Sequence, residues 1–313
     1  MSAVEQLVVD GETVGVRLDK LLAQLRSVGS REKARQVLKS GKVTVDGRAV
    51  GPDDGGRPLA AGATVEIAWN RPGTGARRTA ARTAMDRAGV VVLHEDDAIL
   101  AADKPAGLLT DAADADQGKH RDTLRKRIHA WVNAEVYPAH RIDRDTTGVV
   151  LFAKTPAAQA GLKAQWIERT PRRVYLAVFD GRLDRDHGRF ADWMAWDARA
   201  RIQQPADKDA PGAWLAEATF QVVERFGDVA TLVEVSLVTG RRNQIRLHAM
   251  LAGHPLLGEP LYRMPGRVRT PFPRQALHAR ELGLVHPTTH QPITFEAPIP
   301  DDLTRLFARL RRA

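Results

Sequence analysis

The chain has no cysteine. That absence excludes disulfides, thiolate metal sites and cysteine nucleophiles, and it fits a reducing compartment. Aromatic residues are sparse, 5% of 313 residues with only three tyrosines, so a tyrosine inside a motif is a scarce side chain. No apolar run approaches the length that spans a membrane. The N-terminal stretch MSAVEQLVVDGET carries acids and lacks the basic region of a signal peptide. Neither the dinucleotide fingerprint GxGxxG nor the phosphate loop GxxxxGK(S/T) occurs. A cytoplasmic protein without cofactor or metal is the expectation, with a monomer as the default state and neither a membrane nor an obligate protein partner implied.

What is present is positive charge. Lys and Arg number 47 against 38 Asp and Glu, a net +9, which suits a polyanionic partner through phosphate contacts and counterion release. Residues 14–69 read as a compact unit. Leu18, Leu21, Leu22 and Leu25 recur at helical spacing. Ser30 is placed to cap a second helix with Ala34, Val37 and Leu38 on one face, and Gly41 to end it. Val43–Val45, the pair Asp46-Gly47 and residues 48–50 give a hairpin signal, and 64–69 one more strand. Arg31, Arg35 and Lys39 share a helix face at four-residue spacing, followed by Lys42 and Arg48. Such a face is either merely solvated or built for phosphate.

Residues 71–88, poor in large apolar side chains and rich in Arg, Ala, Thr and Gly, read as a flexible basic linker. Beyond it helix and strand patterns mix. Strands are expected at 89–93, 98–102, 173–179 and 229–238, and a turn at 103–107. A helix after Asp122 carries Leu124, Ile128, Trp131 and Val132, and a second amphipathic helix runs over Asp301–Leu310. The predicted layout is a small domain at 1–70, the linker at 71–88 and a larger domain at 89–313.

Residues 140–148 read HRIDRDTTG and run into the apolar stretch VVLFAKT. The pattern predicts a charged loop fixed on a buried strand. Asp143 lies between Arg141 and Arg144, and neighbouring guanidiniums keep a carboxylate ionised. An ionised, positioned Asp is either a nucleophile or base, or simply an ion-pair partner at a strand entrance.

The segment HRIDRDTTG resembles the HRLDxxTSG signature of the RluA-type pseudouridine synthases, which isomerise uridine within RNA. Four further stretches are similar to that family in the same order: DKPAGLL at 103–109, RRVYLAVFDG at 172–181, TGRRNQIRLHAMLAGHPLLGEPLY at 239–262 and LHARELGLVHP at 277–287. The sequence departs from the family pattern at Thr110-Asp111, where a His-Pro pair is common, at Asn243, where His is common, and at Glu259, where Asp is common. The stretch RLDKLLAQL…SREKARQVLKSGKVTVDGRAV…GATVEI resembles the small RNA-binding module first known from ribosomal protein S4.

The resemblance implies an α+β catalytic domain with a mixed, largely antiparallel central sheet and flanking helices, preceded by a helix-helix-hairpin RNA-binding domain. It implies Asp143 as the carboxylate acting at the ribose, Tyr175 against the uracil, and Arg246 paired with Asp143 in a bidentate geometry that lysine could not reproduce. A helix is expected to follow Gly240, with Arg242 and Arg246 one turn apart. Arg141 would fill the space left by an extruded base or hold the displaced strand. Arg31, Arg35, Lys39, Lys42 and Arg48 would contact RNA backbone. The implied target is large-subunit ribosomal RNA, with transfer RNA as an alternative. A non-catalytic RNA-binding or ribosome-assembly factor on the same scaffold is the reading from another class.

Overall fold

The computed structural model describes residues 4–69, 85–111, 122–200, 202–264 and 271–312. Most of the expected linker, residues 71–84, lies outside the described residues. The chain divides into two compact units, Met1–Ala88 with Lys126–Val136, and Gly89–Arg125 with Tyr137–Ala313.

In the first unit, β1 (Val4–Val8) pairs antiparallel with β4 (Thr64–Ala68), which pairs with β2 (Val43–Val45) and through it with β3 (Arg48–Ala49). The β2–β3 turn is Asp46-Gly47, both at positive φ, as a two-residue hairpin of this twist requires. Helices α1 (Leu18–Gln24) and α2 (Arg31–Lys39) bury Leu18, Leu21, Leu22, Ala34 and Leu38 with Val43, Val65 and Ile67. Ser30 Oγ accepts from Lys33 N, the N-cap bond its position predicts. The strand β1 and a short 3-10 turn at Pro52–Gly56 carry no pattern strong enough to predict.

The second unit is built on an eleven-stranded sheet. Its first strands are β5 (Val91–Glu95) and β6 (Ile99–Lys104), then β7 (Tyr137–Pro138), β8 (Thr147–Ala153) and β9 (Arg172–Asp180). They are followed by β10 (His187–Asp197), β11 (Ile202–Pro205), β12 (Trp214–Phe226) and β13 (Ala230–Leu237), and lastly by β14 (Leu277–Val285) and β15 (Pro292–Glu296). The order is β11-β10-β12-β13-β9-β14-β8-β6-β5, with β15 on β14 and β7 on β8. All neighbours are antiparallel except β14 and β8, which run parallel. The sheet is therefore mixed and largely antiparallel, the α+β class expected.

Among the helices, α3 (Leu124–Val132) buries Leu124, Ile128 and Val132. The others are α4 (Pro156–Glu168), α5 (Gln244–Leu251) and α6 (Asp301–Leu310). Helix α6 lays Leu303, Leu306, Phe307 and Leu310 onto Leu176, Val178 and Leu232 of the sheet, the face its periodicity predicts. Strand β8 is buried over its whole length, so the charged loop before it ends on a rigid, central element. Two expectations change. Asp103 and Lys104 close strand β6, so the turn is confined to residues after Pro105. Helix α5 begins at Gln244 after a left-handed Asn243, so Arg242 precedes it rather than sharing its face with Arg246.

Candidate active site

The loop bearing Asp143 is tied down peptide by peptide. Thr110 Oγ1 donates to Ile142 O at 3.1 Å and accepts from Ile142 N at 3.3 Å, clasping the residue before Asp143 from both sides. Lys104 is fully buried and its Nζ donates to the carbonyls of Pro105, Leu108 and Arg144 at 2.7–2.8 Å. Burial pulls its ammonium down to about 7, against the opposing pull of Asp145 and Asp143. Three carbonyl acceptors use all three donors of an ammonium, so this one side chain joins the 104–108 turn to the Asp143 loop. Arg274, held by Asp302 at 2.7 Å, donates to Asp145 O at 3.1 Å.

The far end of the loop is fixed by strand β14. Thr147 Oγ1 lies 2.9 Å from His278 Nδ1, and His278 Nε2 lies 3.3 Å from Ala297 O. Burial drives the His278 imidazole down to about 4, so it is neutral. The carbonyl of Ala297 then places its proton on Nε2, which leaves Nδ1 to accept from Thr147. His140 is likewise structural. Its ring stacks on Trp166 at 5.4 Å, Nε2 accepts from Leu151 N, and burial, with Arg173 adding to it, pushes it down to about 3.

Asp143, Tyr175 and Arg246 meet in one cavity of about 150 Å³. Arg246 NH1 donates to Asp143 Oδ2 at 3.0 Å. The Arg246 side chain is 5% exposed and that of Asp143 27%, so the acid faces the opening and the base lies behind it. The bidentate partner of Arg246 is not Asp143 but the fully buried Glu259, whose two oxygens take Nε at 2.8 Å and NH2 at 2.6 Å. Glu259 also accepts from Leu261 N, and Tyr262 lies 5.5 Å from the guanidinium. Burial works against the charge of Arg246, but Glu259 and then Asp143 hold it protonated above its ordinary range. Fork geometry explains this division: Nε and NH2 form one carboxylate-matching edge, and NH1 is left for Asp143.

Arg144 does not pair with Asp143. It reaches Asp145 at 3.1 Å, so the guanidinium on Asp143 comes from 103 residues away in sequence and not from its neighbours. Arg141 is exposed at the cavity lining. Tyr175, on β9, is buried to 9% exposure, and burial pushes its phenol up to about 12. It is therefore a proton-bearing group at neutral pH. Gly240, Arg241, Arg242 and Asn243 also line the cavity. Motif reading brings together Asp143, Tyr175 and Arg246, with Arg141 at the lining. It gives no role to Lys104, Thr110, Glu259 or Arg274. Lys104 and Glu259 lie inside the resemblant stretches and Thr110 marks a departure from them, whereas Arg274 has no sequence signal at all. In the first unit, Arg31, Arg35, Lys39 and Arg48 are exposed, and Lys42 donates to Trp69 O at 2.8 Å.

Residues 98–251 match the family described as RNA pseudouridylate synthase, and residues 16–54 match the S4 domain. An uncharacterized RNA pseudouridine synthase, YlyB, of Bacillus subtilis is 34% identical over 95% of this chain and 94% of its own length. The ribosomal large subunit pseudouridine synthase D of Nitrosomonas europaea is 34% identical over 98% of this chain and 88% of its own. Human RNA pseudouridylate synthase domain containing 4 superposes with a TM-score of 0.59 over 75% of this chain and 97% of its own, at 21% identity, a likeness of fold. Among the described residues, no helix is long and apolar enough to cross a membrane. With a carboxylate held by a buried guanidinium beside a phenol, an S4-matching stretch on the same chain, and relatives matched over nearly its whole length, the chain belongs to the RNA pseudouridine synthase family.

Proposed function

We propose that this chain isomerises uridine to pseudouridine in large-subunit ribosomal RNA in the cytoplasm, with Asp143 as the reacting carboxylate. The observation that carries the reading is the Asp143–Arg246 pair, with the acid open to the cavity and its partner buried behind it. The reaction breaks the bond from N1 of the base to C1′ of the ribose, turns the uracil, and joins C5 to C1′; the proton on C5 is lost and N1 regains one. The base must first leave its stack, at a cost of a few kcal/mol in a duplex and less in a loop.

Asp143 serves either by attack on C1′ or by drawing a proton from the sugar to give a glycal, and both routes need an ionised, aimed carboxylate. Arg246 keeps it aimed. Tyr175 presents a flat apolar ring to the uracil and a phenol that carries its proton at neutral pH. Arg141 occupies the space the base vacates or holds the displaced strand. Arg31, Arg35, Lys39, Lys42 and Arg48 bind backbone phosphate and give affinity with little site choice. The ribosomal target is supported by the similarity to large-subunit synthases over 98% of this chain, the S4-matching stretch included. Transfer RNA is the alternative substrate.

The test is tritium release from C5-labelled uridine in bulk cellular RNA, with free uridine as control. Wild-type protein is expected to release tritium from RNA alone. Asp143→Asn, which keeps the size and removes the charge, is expected to abolish release while RNA affinity stays within about twofold. Retained turnover would remove Asp143 from its role. Mapping pseudouridines in a deletion strain decides between ribosomal and transfer RNA.

A further inference from the structure

Beyond residues 241 and 242 the cavity lining continues onto a surface that the reaction does not use. Arg241 and Arg242 line the cavity. The Arg241 guanidinium also lies 4.4 Å from the ring centre of Trp214, and that of Arg242 4.2 Å from the ring centre of Trp196. These are exposed indoles, Trp214 at 56% and Trp196 at 39%. Trp214 stands opposite Met194 in the β10–β12 register and Trp196 is two residues beyond Met194, so both indoles rise from one face of the sheet. Met194 on that face is packed against Leu247 of α5, the helix that carries Arg246.

Two features mark this rim as a ligand surface rather than a packing accident. Exposed tryptophans under arginines present flat π faces and positive charge together, the combination that binds unpaired nucleotides without reading their sequence. Moreover, Arg241 Nε is buried and has no hydrogen-bond partner among the described residues. A guanidinium nitrogen withdrawn from water and left without an acceptor is suited to an incoming anion.

We infer that the Trp214–Arg241 and Trp196–Arg242 stacks receive the unpaired nucleotides that flank the target uridine, bases against the indoles and phosphates against the guanidiniums. This rests on the cavity being the uridine site, and it supplies the platform onto which a strand opened around an extruded base is laid. Stacking is tolerant of base identity, so the rim would select single-stranded character rather than sequence.

The experiment uses the full-length chain carrying Asp143→Asn, so that affinity is read without turnover. The probes are fluorescently labelled oligouridine and an RNA duplex of equal length, followed by polarisation. Trp214→Leu and Trp196→Leu are each expected to weaken oligouridine binding roughly 5- to 100-fold and duplex binding much less. Trp→Phe at each position is expected to retain most of the affinity. Arg241→Gln should lower the slope of log K against log salt by about one. Quenching of tryptophan fluorescence by oligouridine, reduced in Trp214→Phe, is a second readout that needs no large-to-small change. Unchanged oligouridine affinity in both Leu variants, an equal loss for duplex, or Phe variants as weak as Leu would each overturn the inference. Turnover in Asp143→Asn bears on the carboxylate alone, so failure of that reading and failure of this one are separable.

Discussion

Gly148, at φ +115, follows Asp143 by five residues, and a Cβ built there would collide with the carbonyl oxygen of Ala279. Backbone sterics and the parallel contact of β8 with β14 both demand glycine at this position. Gly148→Ala is expected to cost roughly 3 kcal/mol or more, the sum of a disfavoured backbone region and overpacking. Gly253, at φ +82 with open space around it, isolates the first contribution, and Gly253→Ala is expected to cost only about 1 kcal/mol. Urea midpoints of the two variants make the comparison, and equal losses would mean the clash with Ala279 relaxes. At this scale the sequence speaks through motifs. Asp143, Tyr175 and Arg246 are legible because each stands in a resemblant stretch. The allotment of guanidinium edges is not legible, because which arm of Arg246 meets which acid depends on Glu259, whose carboxylate reaches its place only through the chain reversal after Leu257.

Between β5 and β6 the chain reverses around Asp96. One carboxylate oxygen accepts from Ala98 N at 2.7 Å and Ile99 N at 2.8 Å, and the other meets His94 Nε2 at 2.7 Å and His286 Nε2 at 3.1 Å. His286 Nδ1 accepts from Thr288 N and Thr289 N, so its Nε2 carries the hydrogen and donates. Burial works to raise the Asp96 carboxyl, but His94, the two backbone amides and His286 hold it at about 2. Its folded value lies below its unfolded one, so its contribution is present above about pH 4 and lost as the pH falls toward 2. Asp96→Ala is expected to lower stability by about 2 kcal/mol at pH 7, a figure reduced for its partial exposure, and the gap to wild type should close over that acid range. Thermal melts at pH 7, 4 and 2.5 follow it; a gap that stays constant would assign the effect to packing.

Element legibility follows the strength of the pattern. Helix α6 and strands β8 and β9 are read correctly because one face, or the entire strand, is apolar. The β10–β12 ribbon is not, because its exposure does not alternate strictly and a bulge between Val222 and Glu224 breaks the period. Helix α4 opens on Thr155 and Pro156, a valid cap and first position, yet its small apolar residues make no one-sided stripe.

For the whole molecule, charge on the first unit should govern affinity but not chemistry. Replacing Arg31, Arg35 and Lys39 together by Gln, all exposed on α2, is expected to reduce the slope of log K against log salt by roughly two to three. Single-turnover rates on saturated RNA should be unaltered. An unchanged salt slope would return the basic face to ordinary solvated surface.

Strand β14 lies between β9 and β8 in the sheet. It therefore closes two halves that are formed from earlier sequence, and it brings His278 to Thr147, across 131 residues, and Ala279 to Gly148. Contacts of such long range carry a loop-closure cost that local ones do not, and they form late. The Asp143 loop is thus translated early but anchored last at its far end: on an emerging chain Thr147 and Gly148 lack their β14 partners until residues beyond 277 have left the ribosome. A slow refolding phase that governs recovery of RNA-dependent tritium release, after most secondary structure has returned, is the kinetic signature of that order.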